Sequence, residues 1–254
     1  MPIAITRKVS PAIVRCELTH LARAPIDVAR AAAQHEVYER TLAALGCAVV
    51  SLPEEPELPD AVFVEDTAVV VDEVAVISRP GAASRRPETA SVAAVLARYR
   101  PVVTIATPGT LDGGDVLRLG RRLFVGVSGR TNRAGIDQLR AALAPYGYTV
   151  EAVPVHGCLH LKSAVTQVAP DAVLVNPAWV DAGAFFGFTA IRVDPGEPFA
   201  ANALMIGDAV IYPEAFPATA AALAGVGVAL ATVDVSELAK AEGAVTCCSL
   251  ILAG

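Results

Sequence analysis

The chain has 254 residues, 54% of them apolar and 18% charged, a balance that excludes intrinsic disorder. Its formal charge of −6, with no basic run longer than pairs such as Arg85-Arg86 and Arg121-Arg122, excludes a binder of phosphate backbones, so no nucleic-acid partner is expected. Five cysteines, with Cys247 and Cys248 adjacent, fit a reducing cytoplasm in which a special thiol is reactive rather than bridged.

In chain order, Met1 to Arg7 lacks the charged leader and long apolar region of a signal peptide, and Ile3–Thr6 reads as a first strand. Asp27 is a good N-cap for a helix with the stripe Val28, Ala31, His35, Tyr38, Leu42 and Leu45. Further helices are predicted at about Glu88–Arg98, Arg133–Ala144, Trp179–Phe186 (a weaker one) and Ala218–Ala224. Apolar, β-rich runs follow four of the five, at 45–52, 99–105, 146–153 and 226–233. Between them lie pairs of short strands turning at Asp72-Glu73, Gly120-Arg121, Pro170-Asp171 and Gly207-Asp208. The uncharged stretch from Ala215 to Val233 approaches membrane-spanning length, but Pro217, Gly225 and Gly227 divide it into helix, stop and buried strand.

The repeat is therefore hairpin, helix, strand, at a spacing of roughly 40–50 residues. Four hairpins are internal. The apolar segment Ala244–Leu252 and the strand Ile3–Thr6 lack partners, and pairing them supplies a fifth unit and closes a ring. The expected fold is an α/β propeller of five modules around a central channel, one domain over 1–254 with no linker. A doubly wound sheet is the alternative, disfavoured by the regular hairpins.

Three polar clusters sit at predicted strand ends. In Asp60-Ala61-Val62-Phe63-Val64-Glu65-Asp66, a regular strand puts Asp60 and Asp66 on one face and Glu65 on the other, and acids in such an apolar run need cationic compensation. In Leu111-Asp112-Gly113-Gly114-Asp115, paired glycines permit a sharp turn or close approach to a ligand, but no Gly-Lys-Ser/Thr follows to make a phosphate loop. The third combines Leu159-His160-Leu161-Lys162 with Thr246-Cys247-Cys248-Ser249. A thiol held as thiolate by a nearby cation is a nucleophile, and a histidine oriented by a carboxylate such as Asp112 can move protons. If the cysteines lie on a strand, only one faces the channel. A zinc reading of His156, Cys158 and His160 on one strand face is weakened by Gly157 and by the lack of any Cys-x-x-Cys.

Taken together, Phe63-Val64-Glu65-Asp66, Ser78-Arg79-Pro80-Gly81-Ala82 with Ser84-Arg85-Arg86, Leu111 to Val116, Gly129-Arg130-Thr131-Asn132, Leu159 to Lys162 and Thr246 to Ser249 resemble the dimethylarginine dimethylaminohydrolase family of guanidino-modifying enzymes. The resemblance extends to Leu18-Thr19-His20 and runs essentially end to end. It implies a five-bladed α/β propeller with its site in the channel. It further implies Cys247 as nucleophile, His160 as general acid and base, and Asp112 as the group that orients His160 and helps hold the guanidinium. Asp60, Glu65 and Asp66 would hold the guanidinium, Arg85 and Arg130 the α-carboxylate, and the Ala241 carbonyl the α-amino group, with Leu18 on a mobile lid. Ala241 is smaller than the apolar residue the family favours there. The implied partner is a small molecule, a methylated arginine, with no cofactor, metal or membrane required. A homodimer stays open. Rival readings are an arginine deiminase or hydrolase of another N-substituted arginine, and a non-catalytic amino-acid-binding propeller.

Overall fold

The computed structural model describes residues 1–253. Among them, fifteen strands form five three-stranded sheets. Four sheets share one plan: an antiparallel hairpin, a helical crossover, and a third strand parallel to the second. They are Ala68–Val70, Ala75–Ile77 and Val102–Thr104; Val116–Leu119, Arg122–Val127 and Thr149–Pro154; Val165–Ala169, Ala172–Val175 and Thr189–Arg192; and Leu204–Ile206, Ala209–Pro213 and Ala229–Val233. All four turns expected from the sequence fall where the hairpins reverse.

The fifth sheet is made from both ends of the chain. Ile3–Arg7 pairs antiparallel with Leu250–Leu252, with Ile3 opposite Leu252 and Ile5 opposite Leu250, and parallel with Ala48–Leu52. This is the predicted ring closure. Leu250 and Leu252 are buried beside Ile5, so the pairing hides an edge and also contributes to the core.

The first strands of the sheets converge. Residues 68–70, 116–118, 166–167, 204–205 and 250–251 line one cavity of about 240 Å³, which is the channel of a five-bladed propeller. The crossover helices lie outside. Val28–Ala44 is capped by the Asp27 carboxylate, which accepts from the Arg30 backbone N–H, a contact worth about 1 kcal/mol. Its buried residues include Ala31, His35, Tyr38 and Leu42, four positions of the predicted stripe. Thr89–Leu96, Arg133–Leu143 and Pro217–Gly225 serve the same role elsewhere.

Four expectations need correction. The 179–186 segment forms only a single 3-10 turn, Ala182–Phe185, started by Asp181. The acidic run at 60–66 is not a strand: Phe63 N–H bonds Asp60 O at 2.9 Å, and Val64–Thr67 is a 3-10 helix. All of 60–66 is buried, so the alternation argument fails there. Residues 245–248 form a turn, with the strand starting only at Leu250. Finally, Gly157 takes φ +69°, which breaks any extended run and leaves His156 exposed while Cys158 and His160 are buried. The ring's apolar content lies in sheets and their covering helices, and among the described residues no helix is long and apolar enough to cross a membrane.

Candidate active site

The propeller channel is plugged midway by charge. Lys162 Nζ lies 2.5 Å from Glu65 Oε1, while Thr246 donates to Glu65 Oε2 at 2.8 Å. Burial pushes the Glu65 carboxyl up, and Lys162 opposes the shift. Glu65 thus faces the 240 Å³ side, along with Lys162 and Thr246. On the other side of the plug a second, narrow cavity is lined by Asp60, Asp66, Arg85, Arg130, His160, Ala241 and Cys247. Seven of the ten residues named from the sequence therefore share one cavity, although they span almost the whole chain.

His160 ends the irregular 155–160 segment and precedes the short helix Leu161–Ala164. Its Nε2 lies 3.0 Å from Asp112 Oδ2, and its Nδ1 lies 3.8 Å from Asp66 Oδ1. Burial alone opposes charge on the ring. Asp66, the Asp112 hydrogen bond and Asp115 outweigh it and raise the imidazole to about 9. Asp115 also fixes the backbone, accepting from Leu161 N–H at 3.0 Å and from the Ser128 hydroxyl at 2.6 Å.

The two acids beside His160 are themselves held. Asp112 accepts from Gly81 N–H at 2.9 Å, and its own N–H donates to Thr131 Oγ1 at 3.1 Å. Asp66 accepts from Gly114 N–H at 2.9 Å and from Arg85. Burial works to raise the Asp66 carboxyl, but His160 and Arg85 carry it down to about 2, so it is ionised. The paired glycines explain themselves here. A Cβ on Gly114 would sit 2.6 Å from His160 Nδ1 and 2.7 Å from Asp66 Oδ1.

Cys247 is half-buried, whereas Cys248 is fully buried and donates toward Ala244 O at 3.5 Å. The turn that replaces the expected strand separates the two thiols as the strand reading required: one faces the cavity and one the core. The backbone of Cys247 is clamped by Glu65 N–H, which bonds its carbonyl at 3.1 Å, and Ala244 N–H points at its Sγ at 3.4 Å. Burial, together with Glu65 and Asp66, pushes the thiol up to about 12. In the free protein it is a thiol, beside a cationic histidine and several carboxylates.

The two arginines differ. Arg85 is 4% exposed and forks onto Glu88, bonds Asp66, and donates to the carbonyls of Asp60 and Phe63. Arg130 keeps its guanidinium at the cavity wall, 3.9 Å from Asp112 Oδ2 and 3.0 Å from Thr19 Oγ1. Asp60 accepts from Glu17 N–H at 3.1 and 3.3 Å, and burial pushes its carboxyl up. Leu18 is half-buried on the segment that carries Glu17 and Thr19, and packs against the core cluster that includes Ile13, Cys16 and Ala241. Sequence reasoning missed Glu88 and gave no role to Thr131 and Asp115, although both lie in motifs it singled out. For Glu88, only its i, i+3 spacing from Arg85 offered a signal.

Asp66, Asp112 and His160 bring ligand atoms within 4.8 Å of one another, a grouping that a cation can exploit. Arg85, Arg130 and the raised imidazole already compensate these carboxylates, so the set fits proton transfer better than metal ligation.

Cysteine and histidine thus share an acid-lined pocket, and the family model described as arginine deiminase matches residues 54–200, more than half of the chain. A dimethylarginine dimethylaminohydrolase of Streptomyces coelicolor is 42% identical over 98% of this chain and 96% of its own length. A cysteine-to-serine variant of the Pseudomonas aeruginosa enzyme, complexed with citrulline, superposes with a TM-score of 0.93 at 32% identity, covering 98% of each chain. A histidine-to-glycine variant, solved as its adduct with S-methyl-L-thiocitrulline, gives 0.92 at 33% identity with the same coverage. The chain belongs to the dimethylarginine dimethylaminohydrolase family.

Proposed function

We propose that this protein hydrolyses Nω-methylated arginines to citrulline and methylamine or dimethylamine, with residues 1–254 acting as one catalytic unit. The observation that carries this reading is the meeting of Cys247 and His160 with Asp60 and Asp66 on the walls of one cavity. A substrate guanidinium entering beside Asp60, Asp66 and Asp112 brings positive charge to the sulfur. That charge replaces what burial removes, and the thiol gives up its proton to solvent as substrate binds.

The thiolate attacks the guanidinium carbon, whose electrophilicity rises as the acids grip its nitrogens. The carbon–nitrogen bond to the methylated amine then breaks, and His160 gives that nitrogen its proton, leaving an S-alkylthiouronium on Cys247. His160, now neutral, takes a proton from water as the water oxygen bonds to the same carbon. The carbon–sulfur bond breaks and the hydroxyl proton passes to solvent, where the released amine takes it up, so citrulline forms with thiolate and imidazolium restored. Asp112 holds His160 in one orientation through both halves. Arg130 pairs with the α-carboxylate, and the Ala241 carbonyl accepts from the α-amino group. Arg85 acts from behind, keeping Asp66 ionised and in place. Each step uses side chains and water alone.

Citrulline formation from arginine, monomethylarginine and asymmetric dimethylarginine, with the released amine identified, tests this reading. Dimethylamine release with a strong preference over arginine is expected. Faster release of ammonia from arginine would replace the reading with that of a deiminase.

A further inference from the structure

The cavity holding Cys247 and His160 has about 20 Å³ of free space, far too little for an amino acid with a guanidinium tail. Beside it runs the chain between two core anchors, Cys16 and Ile26, which are 1% and 9% exposed; Glu17 lines the cavity and Thr19 meets Arg130 at its wall. Apart from half-buried Leu18, the intervening residues 17–25 are exposed, and little apolar packing holds them.

One side chain from the far end of the sequence secures this strap. The Glu242 carboxylate accepts from three consecutive backbone N–H groups: Thr19 at 3.0 and 3.1 Å, His20 at 2.5 Å and Leu21 at 2.6 Å. Glu242 is also the one non-glycine residue among those described with positive φ, at +59°. It occupies the left-handed position closing the short helix Ser236–Ala239, where Gly243 N–H returns to Leu238 O at 3.1 Å and glycine is the usual occupant. A glycine is available next door, yet the strained position carries a glutamate. The rotation about this φ also fixes the peptide plane between Ala241 and Glu242, and hence the direction of the Ala241 carbonyl.

We infer that Glu242 is a positioning residue for substrate recognition: its carboxylate latches the 17–25 strap over the amino-acid end of the substrate, while its backbone aims the Ala241 carbonyl at the same end. The inference rests on the reading that Arg130 and Ala241 hold the α-carboxylate and α-amino group. Arg130 joins the two devices, since its Nη2 lies 3.0 Å from Thr19 Oγ1 on the latched strap. The latch governs capture of the amino acid and leaves the reacting sulfur untouched.

Glu242→Gly accepts the backbone angle without strain and removes the carboxylate, while Glu242→Gln keeps the length and removes the charge. For both, citrulline kinetics are measured beside two further readouts: hydrogen exchange of the Thr19–Leu21 amides, and alkylation of Cys247 by chloroacetamidine, an amidinium with no amino-acid end. For the glycine variant KM should rise about tenfold or more, as expected for lost hydrogen bonds to a charged group, with the glutamine variant between it and the native protein. Exchange at 19–21 should accelerate, and kcat and the alkylation rate should stay close to native. Unchanged KM and exchange in the glycine variant would overturn the latch, as would a loss confined to kcat and alkylation. If the native protein turns over none of the arginines, the functional reading fails, and the exchange rates still decide whether Glu242 holds the strap.

Discussion

Asp112 Oδ2 lies 3.0 Å from His160 Nε2, and the carboxylate is pinned from its other side by Gly81 N–H. The pair does two things at once. It fixes the ring so that Nδ1 looks toward Asp66, and, with Asp66, it outweighs burial and raises the imidazole to about 9. In Asp112→Asn the orienting contact can survive while its charge is lost. The imidazole pKa should fall, so the alkaline limb of the kcat profile, where the acid form disappears, moves to lower pH. Turnover should drop by about 10²-fold or more, in the range for a misplaced or mistuned general acid. A pH profile unmoved by this change would separate Asp112 from proton transfer.

Cys247 offers a test that needs no turnover. Its thiol is pushed up to about 12 by burial and by Glu65 and Asp66, so at neutral pH the free protein presents almost no thiolate. Neutral iodoacetamide should therefore alkylate it slowly, and chloroacetamidine, which carries its own positive charge, should react far faster. Cys247→Ser should abolish citrulline formation, whereas Cys248→Ser should leave it largely intact, because that sulfur faces the core and Ala244 O. Equal rates with the neutral and cationic reagents would remove the argument for activation by substrate charge.

The two arginines should separate stability from binding. Arg85→Ala leaves Glu88 buried with no cation and Asp66 with His160 alone, a loss of about 3–5 kcal/mol by the usual measure of breaking a buried ion pair from one side. Glu88, already raised to about 7 by burial despite Arg85, would then be protonated over a wider pH range. Arg130→Ala should fold with near-native thermal stability and raise KM for substrates that carry an α-carboxylate. The comparison to make is thermal melting beside steady-state kinetics. A well-folded Arg85→Ala protein with a KM defect alone would instead place Arg85 on the substrate.

The sequence carried the plan of this fold because each hairpin turn is punctuated locally and the helix Val28–Ala44 has its own apolar stripe. Asp27, Gly120 and Gly207 announce their positions without help from the tertiary structure. Thr189–Arg192 carried no such signal, since three of its four residues are exposed and no apolar run marks it. The acids at 60–66 and the cysteines at 247–248 were visible as chemistry but misread as strands. Their conformation is dictated by partners more than 90 residues away in the chain, Lys162 on Glu65 and Glu65 N–H on Cys247 O. Glu242 illustrates the same limit: nothing about a glutamate before a glycine announces a carboxylate reaching across the ring to residues 19–21.

Gly113 and Gly114 give the last test, because adjacent glycines are constrained by different neighbours. A Cβ on Gly113 would lie 2.0 Å from the Glu65 carbonyl oxygen, a backbone atom with no freedom to withdraw. Gly113→Ala should therefore disturb the contact between two blades and lower the melting temperature, with activity falling only as the fold does. A Cβ on Gly114 meets side chains instead, His160 Nδ1 at 2.6 Å and Asp66 Oδ1 at 2.7 Å. These can shift, at the cost of the geometry that holds the imidazole between two carboxylates. Gly114→Ala should thus stay folded and lose most of its kcat, by about 10²-fold if the ring moves out of reach of the reacting sulfur. Circular dichroism melts beside citrulline turnover distinguish the two cases. Retained kcat in Gly114→Ala would mean that the catalytic position of His160 is not the one bounded by Gly114.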